Sequence, residues 1–277
     1  MSYLYHYCTA DAANSILTNR TLRLSDIRKS NDSKEIDYLF DEYKKWWLKK
    51  NQYHESAQHS TEHLETLKKI QMENTVFLVS CFSRNEDDLH MWSCYGNKGV
   101  CFSFNREKLQ EYIKQICIGM TPSDAKQYTT TSCALKLEDV QYFSEEGITR
   151  FFNEQNLNGS YDDFFPVFKK SPIIKSDFFK IEKETRIILT HINGINTPHT
   201  LSRINENGKV IESIPFKSIS SDLFRHKMVV DIPINIDIIE KIIIGPNSTL
   251  SKQDVEQILF INGIENIEVT KSVGTYR

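Results

Sequence analysis

Thr75-Val-Phe-Leu-Val-Ser-Cys-Phe82 is a nearly continuous apolar run without Gly or Pro, and the reading of the fold turns on it. Consecutive side chains of a strand point to opposite faces, so a strand that is apolar at almost every position must be covered on both sides. The run therefore predicts a central strand with a packed layer on each face.

Working back toward the N-terminus, Tyr3-Leu-Tyr-His-Tyr-Cys8 reads as an aromatic-rich strand, Thr9 as the N-cap of a helix over 10–17, and Thr21-Leu-Arg-Leu-Ser25 as a second short strand. Ile36, Leu39, Phe40, Tyr43, Trp46 and Trp47 form one apolar stripe at helical spacing, on a helix that opens after Asn31-Asp32. The polar stretch 51–72 keeps Leu64, Leu67 and Ile70, which predicts a second helix packed on the first. Working forward, the acidic loop 83–88 leads to a helical turn through Met91-Trp92, a strand over 99–104 and an amphipathic helix over 106–118. Beyond it, Val140-Gln-Tyr-Phe143 reads as strand, and 148–152 and 164–168 as helix. Residues 178–189 have strand periodicity, as do 210–216, 228–232 and 238–244. A turn at Gly245-Pro246, a helix over 251–261 and a strand over 265–269 close the chain, and 193–209 reads as an exposed loop. The pattern predicts a single α+β domain over 1–277 with a helical insertion at about 32–73.

The 277 residues are 39% hydrophobic and 26% charged, with 10 Gly and 7 Pro, which excludes collagenous, linker-like and disordered classes. A formal net charge of −3 supplies no global field for nucleic acid or an anionic membrane. The start MSYLYHYC has no basic region followed by a long apolar stretch and no run approaches a membrane span, so a cytoplasmic protein without membrane contact is expected. The six cysteines (Cys8, Cys81, Cys94, Cys101, Cys117 and Cys133) contain no CxxC pair and read as free thiols. His54, His59 and His63 read as a polar surface, and no metal site is expected.

Three constellations could carry chemistry. At His6-Tyr7-Cys8-Thr9 a strand end meets a helix N-terminus, which offers backbone N–H groups to a phosphorylated or polar ligand; a half-buried His beside a capping Thr is the plainer alternative. In Glu182-Lys-Glu184-Thr-Arg186, alternate positions of a strand would place two carboxylates and a guanidinium on one face, suited to sugar hydroxyls and a developing cation or simply to a solvated face. Ser80-Cys-Phe-Ser83 followed by Met91-Trp-Ser-Cys-Tyr95 could set Trp92 and Tyr95 over a flat ring, or bury both in a core. GxGxxG, GxxxxGK[ST], GxSxG and HExxH are all missing from the sequence.

Taken in order, Leu4-Tyr-His-Tyr-Cys-Thr9, Leu22-Arg-Leu-Ser25, Asn31-Asp32-x-x-Glu35, Cys81-Phe-Ser83, Met91-Trp-Ser-Cys-Tyr95, Gly99-Val-Cys-Phe-Ser-Phe104, Glu182-Lys-Glu-Thr-Arg186, Ile242-Ile-Ile-Gly245 and Ser272 to Tyr276-Arg277 resemble the bacterial family called domain of unknown function 2971. That family has no settled activity, and some of its members are associated with anti-phage defence. More distantly, the opening Tyr-His-x-x-Thr with the following helix is similar to ADP-ribosyltransferases. That resemblance implies a fold built on a pair of small sheets and NAD as the substrate, with His6 and Thr9 holding it. It further implies Ser83 or Tyr95 as the middle element, Glu184 as the catalytic carboxylate, Glu182 as the group that orients or deprotonates a nucleophile, and Arg186 on a diphosphate or on either glutamate. The acceptor stays open among protein, nucleic acid, a small molecule and water, and a homo-oligomer or a defence-system partner protein fits the same expectation. Two other readings stand beside it: an inert module that senses a nucleotide or phage component, and a metal-dependent nuclease.

Overall fold

The computed structural model describes residues 2–29, 35–51, 57–96, 98–118, 134–155, 157, 161–192, 200–222 and 225–274. Asn31, Asp32, His54, Cys133, the first part of the expected loop at 193–199, and Tyr276-Arg277 lie outside them, as does the His59 side chain.

The chain opens with β1 (Tyr3–Cys8), α1 (Ala10–Asn19) and β2 (Thr21–Asp26), followed by two helices, α2 (Glu35–Lys50) and α3 (Ala57–Asn74), where the insertion was expected. Then come β3 (Thr75–Ser83), α4 (Leu89–Cys94), β4 (Val100–Asn105), α5 (Arg106–Ile113), β5 (Ile116–Ile118), β6 (Leu135–Asp139), β7 (Gln141–Phe143), α6 (Glu145–Glu154) and α7 (Phe164–Phe168). The remainder is β8 (Ile174–Ser176), β9 (Glu184–Ile192), β10 (Thr200–Ile204), β11 (Val210–Asp222), β12 (Arg225–Pro233), β13 (Ile239–Ile244), α8 (Lys252–Ile261) and β14 (Glu268–Lys271).

Among the described residues twelve strands join in one sheet, in the order β14-β13-β4-β1-β3-β2-β12-β11-β10-β5, with β9 on the other edge of β3 and β6 beyond it. A short parallel pair, β7 with β8, stands apart. As the apolar run required, β3 is covered on both faces. Val76, Leu78 and Phe82 join a core with α1, α5 and α8. Phe77 and Val79 join a second core with the aromatic stripe of α2 and with α6 and α7. No helix among the described residues is long and apolar enough to cross a membrane.

Four expectations are corrected. The mixed α/β fold joins twelve strands in one sheet in place of a pair of small sheets, because β3 is long enough to bond β2 and β1 in turn along one edge and β9 along the other. The helix over 106–118 stops at Ile113, and Ile116-Cys-Ile118 pairs with β10, with Ile116 and Cys117 buried. β10 itself lies in the stretch read as exposed loop, with Leu201 and Ile204 buried. Finally, 177–182 is a 3-10 helix, so strand structure begins only at Glu184.

Candidate functional site

The site originates in the way β3 is shared. β9 pairs with one edge of β3 along its whole length, from Thr75↔Ile192 to Ser83↔Glu184. On the opposite edge β2 pairs only at Leu78 and Val79, and β1 only at Ser83. Along residues 80–82 neither strand is paired, so the sheet is split there, and a cavity of about 340 Å³ opens at the split. Side chains of both faces reach it: His6, Ser80 and Phe82 from one, Tyr5, Cys81 and Ser83 from the other.

His6 bridges part of the split. Its Nδ1 lies 2.9 Å from the carbonyl oxygen of Cys81. A carbonyl only accepts, so Nδ1 carries the hydrogen and Nε2 is left as an acceptor. Desolvation lowers the imidazole pKa from its ordinary value, outweighing that hydrogen bond, and the ring is neutral at pH 7.

One wall of the cavity is a buried cluster of charges contributed by four separate segments, braced by tyrosine hydroxyls from two more. Lys175 on β8 donates to Glu35 Oε1 at 2.7 Å, to Glu182 Oε2 at 2.9 Å and to Glu184 Oε2 at 2.9 Å. Arg186 on β9 grips Glu184 with Nε and a terminal nitrogen, both at 2.8 Å, and also reaches Glu35 and the Pro172 carbonyl oxygen. The Tyr95 hydroxyl, just after α4, donates to Glu182 Oε1 at 2.6 Å. The Tyr142 hydroxyl on β7 accepts from the Glu184 backbone N–H at 2.8 Å. Glu182 and Glu184 are not on one strand, because Glu182 ends the 3-10 helix; Lys183, with φ +44°, reverses the chain and brings Glu182 round to the same ammonium.

The electrostatics follow from that packing. Burial pushes the Glu184 carboxyl up, but Arg186 and Lys175 outweigh it and hold the group down at about 2. Lys175 is raised in spite of its burial, by the surrounding carboxylates. Burial and the bond to Glu182 raise Tyr95. Cys81, opening onto the cavity beside Glu184, is pushed well above its ordinary value by desolvation and by that carboxylate, so it is a neutral thiol. Three carboxylates (Glu35, Glu182, Glu184) against two cations (Lys175, Arg186) leave one net negative charge in the wall. Glu182 is the member with a single cationic partner.

Of the residues singled out in the sequence, His6, Ser83, Tyr95, Glu182, Glu184 and Arg186 line this cavity. Thr9 does not: it is exposed and caps α1 by accepting from the Ala12 N–H, so it is not available to hold a ligand there. Arg186 is 1% exposed with its donors engaged by Glu184, Glu35 and Pro172, which makes it a brace for the carboxylates and removes it from a diphosphate. Ser83 donates to the Glu182 carbonyl oxygen at 2.7 Å and thereby braces the turn. Trp92 packs edge-on to Tyr7 and donates to Asp87, so only Tyr95 of the expected aromatic pair faces the cavity. Sequence reading missed Lys175, and it quoted Glu35 within the motif Asn31-Asp32-x-x-Glu35 without giving it a role in the site. The signal for Lys175 was a lysine ending the apolar run Pro172-Ile-Ile, where an uncompensated cation would be unstable.

Residues 91–187 match the model of a family described as Protein of unknown function (DUF2971), so the family resemblance seen in the sequence is shown over the segment from α4 into β9. That segment supplies Tyr95, Lys175, Glu182, Glu184 and Arg186. No curated protein and no solved structure matches the chain.

Proposed function

We propose that the cleft binds NAD and cleaves its nicotinamide–ribose bond, passing ADP-ribose to an acceptor or to water. The observation that carries the reading is the net negative charge buried in the wall of a cavity that also holds a neutral His6. When the glycosidic C–N bond breaks, its electron pair leaves with nicotinamide and the ribose becomes an oxocarbenium ion. Buried, fixed negative charge stabilises that cation more than the neutral ribose of the ground state and needs no solvent reorganisation. Glu184, held at about 2, stays ionised at every physiological pH and acts as fixed charge. Glu182, with one cationic partner and a hydroxyl donor, is the carboxylate suited to take the proton of the attacking nucleophile as the new bond to C1′ forms.

Nicotinamide release from NAD by the purified chain, with and without cell lysate as a source of acceptor, tests this. Release is expected, and Glu184→Gln or Glu182→Gln should lower kcat by about 100-fold or more, the usual cost of a lost transition-state charge contact. No release under any condition would sink the proposal. A second reading, a catalytically inert nucleotide-binding module, draws on the engagement of both Glu184 oxygens by cations. NAD binding without turnover, unchanged in Glu184→Gln, would decide for it.

A further inference from the structure

A second and larger cavity, of about 540 Å³, adjoins the cleft between α2 and residues 175–179. Glu35, Lys175 and Phe179 line both cavities, so both reach the Glu35–Lys175 ion pair. The volume falls among small-molecule sites, roughly 300–1,000 Å³, and like them the cavity is walled mainly by apolar surface, here Leu48 and the rings of Tyr38 and Phe179. Three lysines and three carboxylates also line it, but they are not disposed alike. Lys175 is bound to the three carboxylates of the charge cluster, and Lys44 turns away to Glu65 on α3. Lys45 pairs with Glu42, yet the Lys45 side chain is 67% exposed and that of Glu42 only 11%. The carboxylate is thus set in the wall while its cation reaches into solvent. Asp41, exposed beside them, forms no ion pair among the described residues. Two groups of this wall sense the surplus. Tyr38 is pushed up to about 12 by burial and then by Glu42, Asp177 and Glu145, and Lys45 is raised by its bond to Glu42 and further by Glu145 and Asp41. The charges acting on both groups are all carboxylates. An apolar cavity in a negative field accepts a cation that carries an apolar body and repels the matching anion.

We infer that this second cavity binds an organic cation, its ammonium or guanidinium group held by Glu42 and Asp41 and its aliphatic or aromatic body packed on Leu48 and the rings of Tyr38 and Phe179. The aromatic rings add to the attraction, since a cation is drawn to a ring face; the Lys175 ammonium already lies 5.3 Å from the Phe179 centroid. The occupant abuts the Glu35–Lys175 pair and so touches the same charge cluster that walls the cleft. The inference does not rest on the NAD reading.

Calorimetric titration of the full chain at low salt with phenylbutylamine, phenylbutanol and phenylbutyrate, which share one apolar body and differ in charge, tests it. The amine should bind about tenfold or more tighter than the alcohol, and the carboxylate more weakly than either, the order set by charge pairing in a poorly solvated site. Asp41→Asn should weaken the amine about threefold, the scale of one exposed charge contact, and leave the alcohol unchanged. Leu48→Lys sets an ammonium among the apolar walls and should weaken the amine by about tenfold or more, through lost packing and like-charge repulsion. Asp41 is exposed on α2, so Asp41→Asn should melt with the parent and reads the site even if Leu48→Lys is unstable. An amine that binds no tighter than the alcohol, or whose binding ignores both variants and therefore lies elsewhere, would overturn the inference. Binding as described without nicotinamide release leaves this site standing and the catalytic reading falls; nicotinamide release without amine binding does the reverse.

Discussion

Replacing Lys175 with Met keeps the length and apolar stem of the side chain and deletes one charge, and the structure sets the size of the effect. The ammonium is 2.7 to 2.9 Å from three carboxylates, with side chains only 6 to 7% exposed. Without it the cluster passes from one net negative charge to two, and Glu182 keeps only the Tyr95 hydroxyl. Removing one partner of a buried ion pair costs about 3–5 kcal/mol, because the charges left behind stay desolvated. At about 2–4 °C per kcal/mol for a chain of this general size, the melting temperature should fall by roughly 10 °C near pH 7.5. Crowded carboxylates also bind a proton more readily than the isolated group does. Folded-state pKa values raised in this way cost stability at high pH, and the cost is relieved as pH falls, so the gap to wild type should narrow between pH 7.5 and pH 5. Thermal denaturation followed by circular dichroism at both pH values measures this. A variant melting within about 2 °C of wild type at pH 7.5, against the cost expected for a buried pair, would refute the argument that Lys175 organises the cluster.

Glu184→Gln should cost about 3 kcal/mol above pH 4.5, since the native carboxyl lies at about 2 against an ordinary 4.5 and each unit is worth about 1.4 kcal/mol. A depressed pKa stabilises the fold above the ordinary value and loses that effect as pH falls through the native one. The stability difference from wild type should therefore shrink between pH 4.5 and pH 2, and a gap independent of pH in chemical denaturation would count against it. Thr9→Ala removes the side-chain cap of α1, so a loss of about 1 kcal/mol is expected with nicotinamide release unchanged. A changed KM for NAD would mean that Thr9 belongs to the site after all.

Much of the architecture was legible because its signals are local. The apolar run of β3, the stripe from Ile36 to Trp47 and the N-cap at Thr9 each report a periodicity or a short-range hydrogen bond that the chain carries wherever it folds. β10 was not legible, since its two buried apolar residues lie in a polar stretch whose strand state depends on β11 and β5 on either side. The same division runs through the site. His6, Tyr95, Glu182 and Glu184 stood out by residue type, and the sequence determined on its own that carboxylates and a histidine were available on a near-neutral chain. Their states were decided by tertiary structure. Only the folded chain sets Lys175 and Arg186 both within bonding distance of Glu35, turns Glu182 onto the same ammonium through Lys183, and splits the sheet so that Ser80 and Arg23 line one cavity. Charge on a side chain is a covalent property, written in the sequence. How many neighbours neutralise it, and how far water is kept away, depends on distances between residues far apart in the chain.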